Sequence, residues 1–251
     1  MPDRHVLQKH YDHWDKFVSH WLGDGKPEDG KRNEDFLPEP WWGWTIDSKF
    51  PLNSVVINLH PGKGGTIQTR KAVKPVIGNG KYSNAMTGAL PHHLPETHKW
   101  HNSYRAKPLL SRLQELHAPL SNAIDRHLSI ELSPYHSPTS KDVESYVNAN
   151  YQEVVEHTLQ FAADASRLIE GPLNSTVIVR CNAQRFCEMF PSFLDIKPCS
   201  PNQDLSKSPC WFTIPLQDFE GVRFVCVWGA RNFLPKKDIN EIINQLKTNN
   251  K

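Results

Sequence analysis

The chain has 251 residues, of which 38% are hydrophobic and 22% are charged; this composition indicates a globular protein with a full core and excludes a disordered chain. The formal net charge is only +2, so total charge neither requires nor excludes a nucleic-acid partner. No apolar run approaches the roughly 18 residues of a membrane span, and the five cysteines form no C-x-x-C pair, which argues against a membrane protein and a zinc knuckle.

The N-terminus lacks the apolar core of a signal peptide, so we expect a cytoplasmic protein with reduced thiols. We predict one domain over residues 1–251, with a helix and loop at 1–37 and an α/β core at 38–251. We expect no cofactor, no metal, no membrane and no obligate protein partner.

The first half of the chain opens with apolar residues at helical spacing, which predict an amphipathic helix over 4–22. A polar loop leads to 38–44, which is rich in proline and tryptophan. A β-branched run then predicts a strand over 53–60. Scattered glycine and proline predict irregular structure over 62–96, and apolar spacing predicts a helix over 97–118.

The second half alternates between strand and helix patterns. We predict strands at 127–132, 175–180, 193–197, 211–215 and 222–228, and helices at 140–169 and 238–246. Strands that alternate with helices are typical of a largely parallel sheet covered on both faces. The predicted fold class is therefore α/β, a three-layer α/β/α arrangement around a central, mainly parallel sheet.

The first strand ends in an unusual polar segment. Asn58 and His60 point to the same side of the strand because side chains alternate. The glycines Gly62 and Gly64 leave backbone N–H groups open to a phosphate beside Lys63. Open α/β sheets bind ligands at the carboxyl ends of their strands, so the segment predicts a binding site. The alternative is a tight turn with two incidental polar residues.

Two later strands also end in polar residues. Glu131 is followed by Ser-Pro-Tyr-His at 133–136, and the strand predicted near 193–197 is followed by Cys-Ser-Pro-Asn at 199–202. Because successive ends of parallel strands meet at one edge of a sheet, we expect all three segments to line a single pocket.

These segments resemble the motifs of the uracil-DNA glycosylase superfamily over about residues 38–205. That family has a first motif of the form G-x-D-P-Y-H or G-x-N-P-G, a base-reading asparagine after the second strand, and further segments after the third and fourth strands. The corresponding stretches here are Pro-Glu-Pro-Trp-Trp-Gly at 38–43, Asn-Leu-His-Pro-Gly at 58–62, Glu-Leu-Ser-Pro-Tyr at 131–135, Arg-Cys-Asn-Ala-Gln at 180–184 and Cys-Ser-Pro-Asn at 199–202.

The resemblance implies a monofunctional DNA glycosylase, which flips a base out of the DNA and hydrolyses its N-glycosidic bond. His60 stands where the family has its catalytic Asp or Asn, and Glu131 stands where it has the base-reading Asn. Asn58 and His60 are the candidate catalytic residues, for orienting water or assisting the leaving base. Alanine at either position is expected to abolish base release and leave the fold intact.

The remaining candidates would bind DNA and the flipped base. Gly62, Lys63, Gly64, Ser200 and Asn202 are expected to hold phosphates. Candidate base contacts beside Glu131 are Tyr135, His136 and Trp42, with Trp41 and Trp44 as further aromatic faces. Packing in the core is the alternative for the tyrosine and the tryptophans, and capping of the following turn is the alternative for His136.

Glu131 carries the prediction of base preference. An ionised glutamate only accepts hydrogen bonds, so it would repel O4 of uracil and accept from an amino group such as N4 of cytosine. Because removal of ordinary cytosine would destroy the host genome, we expect a modified, for example glycosylated, cytosine of phage DNA as substrate and a role in antiviral defence. The alternative is that Glu131 caps backbone N–H groups.

Other function classes stay open. The chain could be an altered relative that binds nucleic acid or a nucleotide without cutting it, or a hydrolase of free nucleosides. His92, His93, His98 and His101 form a cluster, but no obvious further ligand accompanies them, so we predict no metal site there.

Overall fold

A computed structural model gives the fold and describes residues 4–22, 38, 40–59, 126–135, 141–190, 194–228, 240–242 and 244–245. Seven strands form one mixed sheet in the order β1-β3-β2-β4-β7-β6-β5. Their bounds are β1 Trp41–Gly43, β2 Ser54–Asn58, β3 His127–Glu131, β4 Thr176–Val179, β5 Lys197–Pro198, β6 Cys210–Thr213 and β7 Arg223–Cys226.

The four central strands, β3-β2-β4-β7, are mutually parallel, whereas β1, β6 and β5 pair antiparallel with their neighbours. The α/β class is therefore confirmed. The predicted strands at 53–60, 127–132 and 175–180 are also confirmed, and the observed strands are one to three residues shorter than predicted. The strand predicted at 193–197 is wrong in place, since pairing covers only Lys197–Pro198, at the far edge of the sheet.

Four helices have defined bounds, namely α1 Gln8–Leu22, α2 Lys141–Asn150, α3 Glu156–Arg167 and α4 Ala183–Met189. A 3₁₀ turn precedes α1, so the predicted helix at 4–22 is confirmed. The helix predicted at 140–169 is interrupted by a π-helical turn, Tyr151–Val155. Helix α4 was not predicted; its N-cap is Asn182, whose side-chain oxygen accepts from the backbone N–H of Arg185.

Helical residues at 240–242 and 244–245 agree with the predicted C-terminal helix. The helix predicted at 97–118 lies outside the described residues. Within the described residues, no helix is long and apolar enough to cross a membrane.

One face of the central sheet is apolar and packs against helices. Helix α1 packs against this face through its buried side chains. The ring centroid of its Tyr11 lies 4.8 Å from that of Trp41 in β1 and 5.3 Å from that of Phe161 in α3, both in edge-on contact. Further along the sheet, Phe186 of α4 stacks near Phe224 of β7. Burying each such side chain contributes about 1.5–3 kcal/mol.

The tryptophans at 41 and 44 belong to this core. Trp41 and Trp44 are fully buried, and the indole N–H of Trp44 donates to the carbonyl of Phe50 at 2.8 Å. The packing interpretation is therefore confirmed for both. The backbone of Trp42 lies in β1, but its side chain lies outside what is described, so its predicted contact with a base stays a prediction.

Candidate functional site

The opposite face of β2 and β3 is polar and equally buried. In the parallel register, Ser54 lies beside His127, Val56 beside Ser129, and Asn58 beside Glu131. The five polar side chains of this face are at most 5% exposed. Buried polar groups are costly unless they are hydrogen-bonded, and the described contacts bond them to one another.

At the carboxyl end of this face, four residues form what we term the Asn58 network: Asn58, Ser129, Glu131 and Arg180. Nδ2 of Asn58 donates to Oγ of Ser129 at 2.7 Å and to Oε1 of Glu131 at 2.9 Å. Nη1 of Arg180 donates to Oδ1 of Asn58 at 3.0 Å. The network therefore bridges the ends of three adjacent parallel strands.

The backbone fixes where these side chains stand. The N–H of Leu132 donates to the carbonyl of Asn58 at 2.8 Å, and the N–H of Arg180 donates to the carbonyl of Ile57 at 2.9 Å. Each strand thus ends at the same level, and the residue at each end projects from a continuous hydrogen-bonded ladder. A rigid support of this kind holds a binding group in one place.

The strand order marks the same edge as a ligand site. The chain leaves β2 towards β3 on one side, whereas it leaves β4 towards β5, past the places of β7 and β6, on the other side. Ligands of open α/β sheets bind in the crevice where the connections diverge in this way. Asn58 and Arg180 stand at the two sides of that crevice, and their 3.0 Å hydrogen bond crosses it.

At the other end of the polar face, Oγ of Ser54 and Nδ1 of His127 are 2.8 Å apart. Burial, with the charge of Arg180 as a smaller cause, lowers the pKa of His127 from 6.5 to about 3. His127 is therefore neutral at pH 7. It contributes a hydrogen-bonding ring to the sheet and no charge.

The structure brings together only part of the predicted pocket. Asn58 and Glu131 meet as expected. Ser200 and Asn202 are exposed beyond β5, four strand spacings from β2, or about 19 Å along the sheet. The prediction that this segment joins the same pocket is wrong, because β7 takes the place beside β4 and β5 is an edge strand.

Tyr135 is a core residue in this structure. It is 8% exposed, and its ring lies 5.8 Å from Phe17 of α1 and 6.0 Å from Tyr146 of α2. This packing leaves little of the ring to stack on a base. The predicted roles of His60, Gly62, Lys63, Gly64 and His136 fall outside the described residues, as does the histidine cluster at 92–101.

Two residues at this edge were missed. Arg180 directly follows the strand residue Val179, as Asn58 follows Ile57, so the same reasoning could have identified it. Trp228 is 46% exposed. It lies just after β7, where the N–H of Val227 donates to the carbonyl of Val179, two strand spacings from β2.

A second polar cluster lies between α1 and α3, away from the strand ends. His10 bridges Asp164, at 2.9 Å, and His157, at 3.1 Å, while His13 stacks on His157 at 3.8 Å. Burial lowers the pKa of each of these histidines, that of His157 to about 3. Among the described residues no group of three or more His, Cys, Asp or Glu could hold a metal ion. The hydrogen bonds of His10 join α1 to α3.

The thiols offer no activated nucleophile. All five cysteines are free, and burial raises the pKa of Cys181 to about 12 and that of Cys226 well above its ordinary value. A reactive thiol needs a lowered pKa.

Comparisons of the chain with protein-family models, with curated proteins and with solved structures found no match.

Proposed function

We propose that the chain is a DNA glycosylase that flips out and hydrolyses a base carrying an exocyclic amino group, with a modified cytosine as the preferred substrate. The observation that carries this proposal is the 2.9 Å hydrogen bond between Asn58 and Glu131 at the carboxyl edge of the parallel strands. The site lies at the divergence of the strand connections, where open α/β sheets bind their ligands.

Glu131 is the proposed base-reading residue. Its Oε1 accepts from Asn58, and an ionised carboxylate only accepts hydrogen bonds, so the group suits a ligand that donates. An exocyclic amine donates and a keto oxygen does not. Glu131 is only 1% exposed, so a base would reach it only after the site opens.

Asn58 is the proposed residue for orienting the attacking water. Both of its amide hydrogens are used by Ser129 and Glu131, so the amide group would act through Oδ1. That oxygen has two lone pairs, of which Arg180 takes one. His60 remains the proposed partner for the leaving base, in the position where the resemblance puts a catalytic residue.

DNA is the proposed partner because an exposed aromatic stands at the same edge. Trp228 offers an indole face at a distance of about 10 Å from β2 along the sheet. Aromatic faces of this kind stack on bases of nucleic acids.

The direct test incubates the purified protein with four substrates. These are duplex DNA carrying glucosylated hydroxymethylcytosine, the same duplex with plain cytosine, the same duplex with uracil, and free nucleosides. Abasic sites in the modified duplex alone support the proposal. Retention on DNA without product would favour a binding protein, and release from free nucleosides alone would favour a nucleoside hydrolase; either result refutes the glycosylase.

A specificity variant tests the role of Glu131. In Glu131→Gln the side-chain oxygen still accepts from Asn58, but the new amide presents a donor to the base. We expect the rate of excision of the amino-bearing base to fall by about 10- to 150-fold, as for loss of a hydrogen bond to a charged acceptor. The rate for keto-bearing uracil should rise. Glu144→Gln, at a surface carboxylate paired with Arg185, is the matched control and leaves both rates unchanged.

A further inference from the structure

The orientation of the Asn58 amide depends on Arg180. A guanidinium group only donates hydrogen bonds, so the atom of Asn58 that faces Nη1 at 3.0 Å is its oxygen. The amide nitrogen is thereby directed towards Ser129 and Glu131. No other assignment of the amide atoms satisfies a donor-only neighbour on that side.

The reversed orientation would reverse the hydrogen-bonding character of the site. With the amide turned over, Oδ1 would face Oε1 of Glu131, which now lies 2.9 Å from the nitrogen. Two acceptors at that distance repel each other unless the carboxyl group carries a proton and donates. The Asn58 nitrogen would then lie where Oδ1 now accepts from Arg180, so the amide would present a donor there, and a donor matches a keto group.

We propose that Arg180 is a positioning residue that sets the base preference of the site by holding the Asn58 amide in one orientation. This inference rests on the proposed function. Arg180 acts through Asn58 and does not itself read the base. Its position across the crevice from Asn58, on a separate strand end, makes the orientation a property of the folded sheet.

The inference distinguishes Arg180 from Ser129. Ser129 also contacts the amide, at 2.7 Å, but a hydroxyl both donates and accepts. It therefore satisfies either orientation of Asn58 and selects neither. Ser129→Ala should leave the base preference close to that of the wild type, whereas Arg180→Met should change it.

The first measurement observes the amide directly. In a ¹⁵N-labelled protein, the side-chain NH₂ signals of Asn58 are assigned through their contacts with Ser129 and Glu131. We expect Arg180→Met to split or broaden this pair, because without the guanidinium group the reversed orientation, with a proton on Glu131, becomes populated beside the present one. Arg180→Lys restores the single pair, since an ammonium group also only donates. Arg185→Met removes the same charge from a surface ion pair and leaves the pair unmoved.

The second measurement is the ratio of affinities for duplexes that carry glucosylated hydroxymethylcytosine or uracil. We expect this ratio to fall about tenfold or more in Arg180→Met, the scale of one buried hydrogen bond, and to recover in Arg180→Lys. Arg180→Gln serves if Arg180→Met does not fold, because a glutamine amide also supports both orientations of Asn58 and should relax the ratio similarly.

The two measurements separate the inference from the function on which it rests. Unchanged Asn58 signals in the folded Arg180→Met or Arg180→Gln variant overturn the role of Arg180, whatever the wild type binds. Altered signals with an unchanged affinity ratio overturn the link to base preference. If the wild type releases no base and shows no base preference, the proposed function and the inferred base preference are refuted. If its Asn58 signals still change when Arg180 is replaced, Arg180 nevertheless fixes the orientation of the amide.

Discussion

Replacement of Asn58 by alanine tests how much the fold depends on the Asn58 network. The substitution removes three hydrogen bonds at once and leaves a buried carboxylate, a buried hydroxyl and a guanidinium group without this partner. Two of the three bonds involve groups that are charged in their ordinary states. The sequence alone predicted that this variant keeps its fold intact, whereas the structure indicates a substantial loss of stability.

The magnitude follows from the kind of group that loses its partner. Removing one partner from a buried charged group costs about 1.5–3 kcal/mol, and removing a neutral hydrogen bond costs about 1 kcal/mol. Arg180 is only half-buried, so water recovers part of its loss. We therefore expect the free energy of unfolding to fall by about 3–5 kcal/mol, within the range for breaking a buried charged pair.

Urea unfolding followed by far-ultraviolet circular dichroism measures this change. Asn174→Ala is a matched control, because Asn174 also donates two hydrogen bonds, to the carbonyls of Arg167 and Ile169, but at an exposed position. The control should lose no more than about 1.5 kcal/mol. A loss below about 1 kcal/mol in Asn58→Ala would refute the view that this amide holds the buried charged groups.

Two further predictions concern pH and DNA. Because the pKa of His127 is about 3 in the fold and 6.5 when unperturbed, the unfolded chain takes up a proton first as pH falls. The free energy of unfolding should therefore fall by about 1 kcal/mol per pH unit between pH 6 and 4. Urea unfolding of His127→Gln at several pH values should not show this part of the fall. An equal pH slope in the variant and the wild type would contradict the lowered pKa of His127. Trp228→Ala should weaken DNA binding by about 1–3 kcal/mol in a fluorescence titration, and Trp228→Phe should weaken it by less. If Trp228→Ala binds DNA as tightly as the wild type, the indole does not contact DNA.

The sequence predicted the strands of the site well because two signals coincide there. A β-branched run ends at Asn58, and a polar–apolar alternation ends at Glu131 just before Ser-Pro at 133–134; local pattern is enough to locate such ends. The order of the strands in the sheet could not be predicted from the local sequence. Nothing local indicates that β7, the last strand among the described residues, lies beside β4, and this order decides that Ser200 is remote from the site.

The burial of the polar face was also beyond the sequence. Residues 127–131 alternate polar and apolar, a pattern typical of a strand with one face in water. In the structure all five are buried, because partners on the neighbouring strands satisfy the polar side chains. Whether an alternating strand faces water or a polar interior depends on those partners, which belong to distant parts of the chain.

The two faces of β2 and β3 show why this polar interior points to a binding role. On one face Val55, Ile57, Leu128 and Ile130 are buried. These apolar side chains stabilise a central strand without any cost for desolvating polar groups. On the other face the same strands bury an amide and a carboxylate whose hydrogen bonds at best offset their desolvation. Stability alone gives no reason for the second arrangement, because apolar residues of similar volume would serve as well. A requirement to present an oriented acceptor at the strand ends does give one.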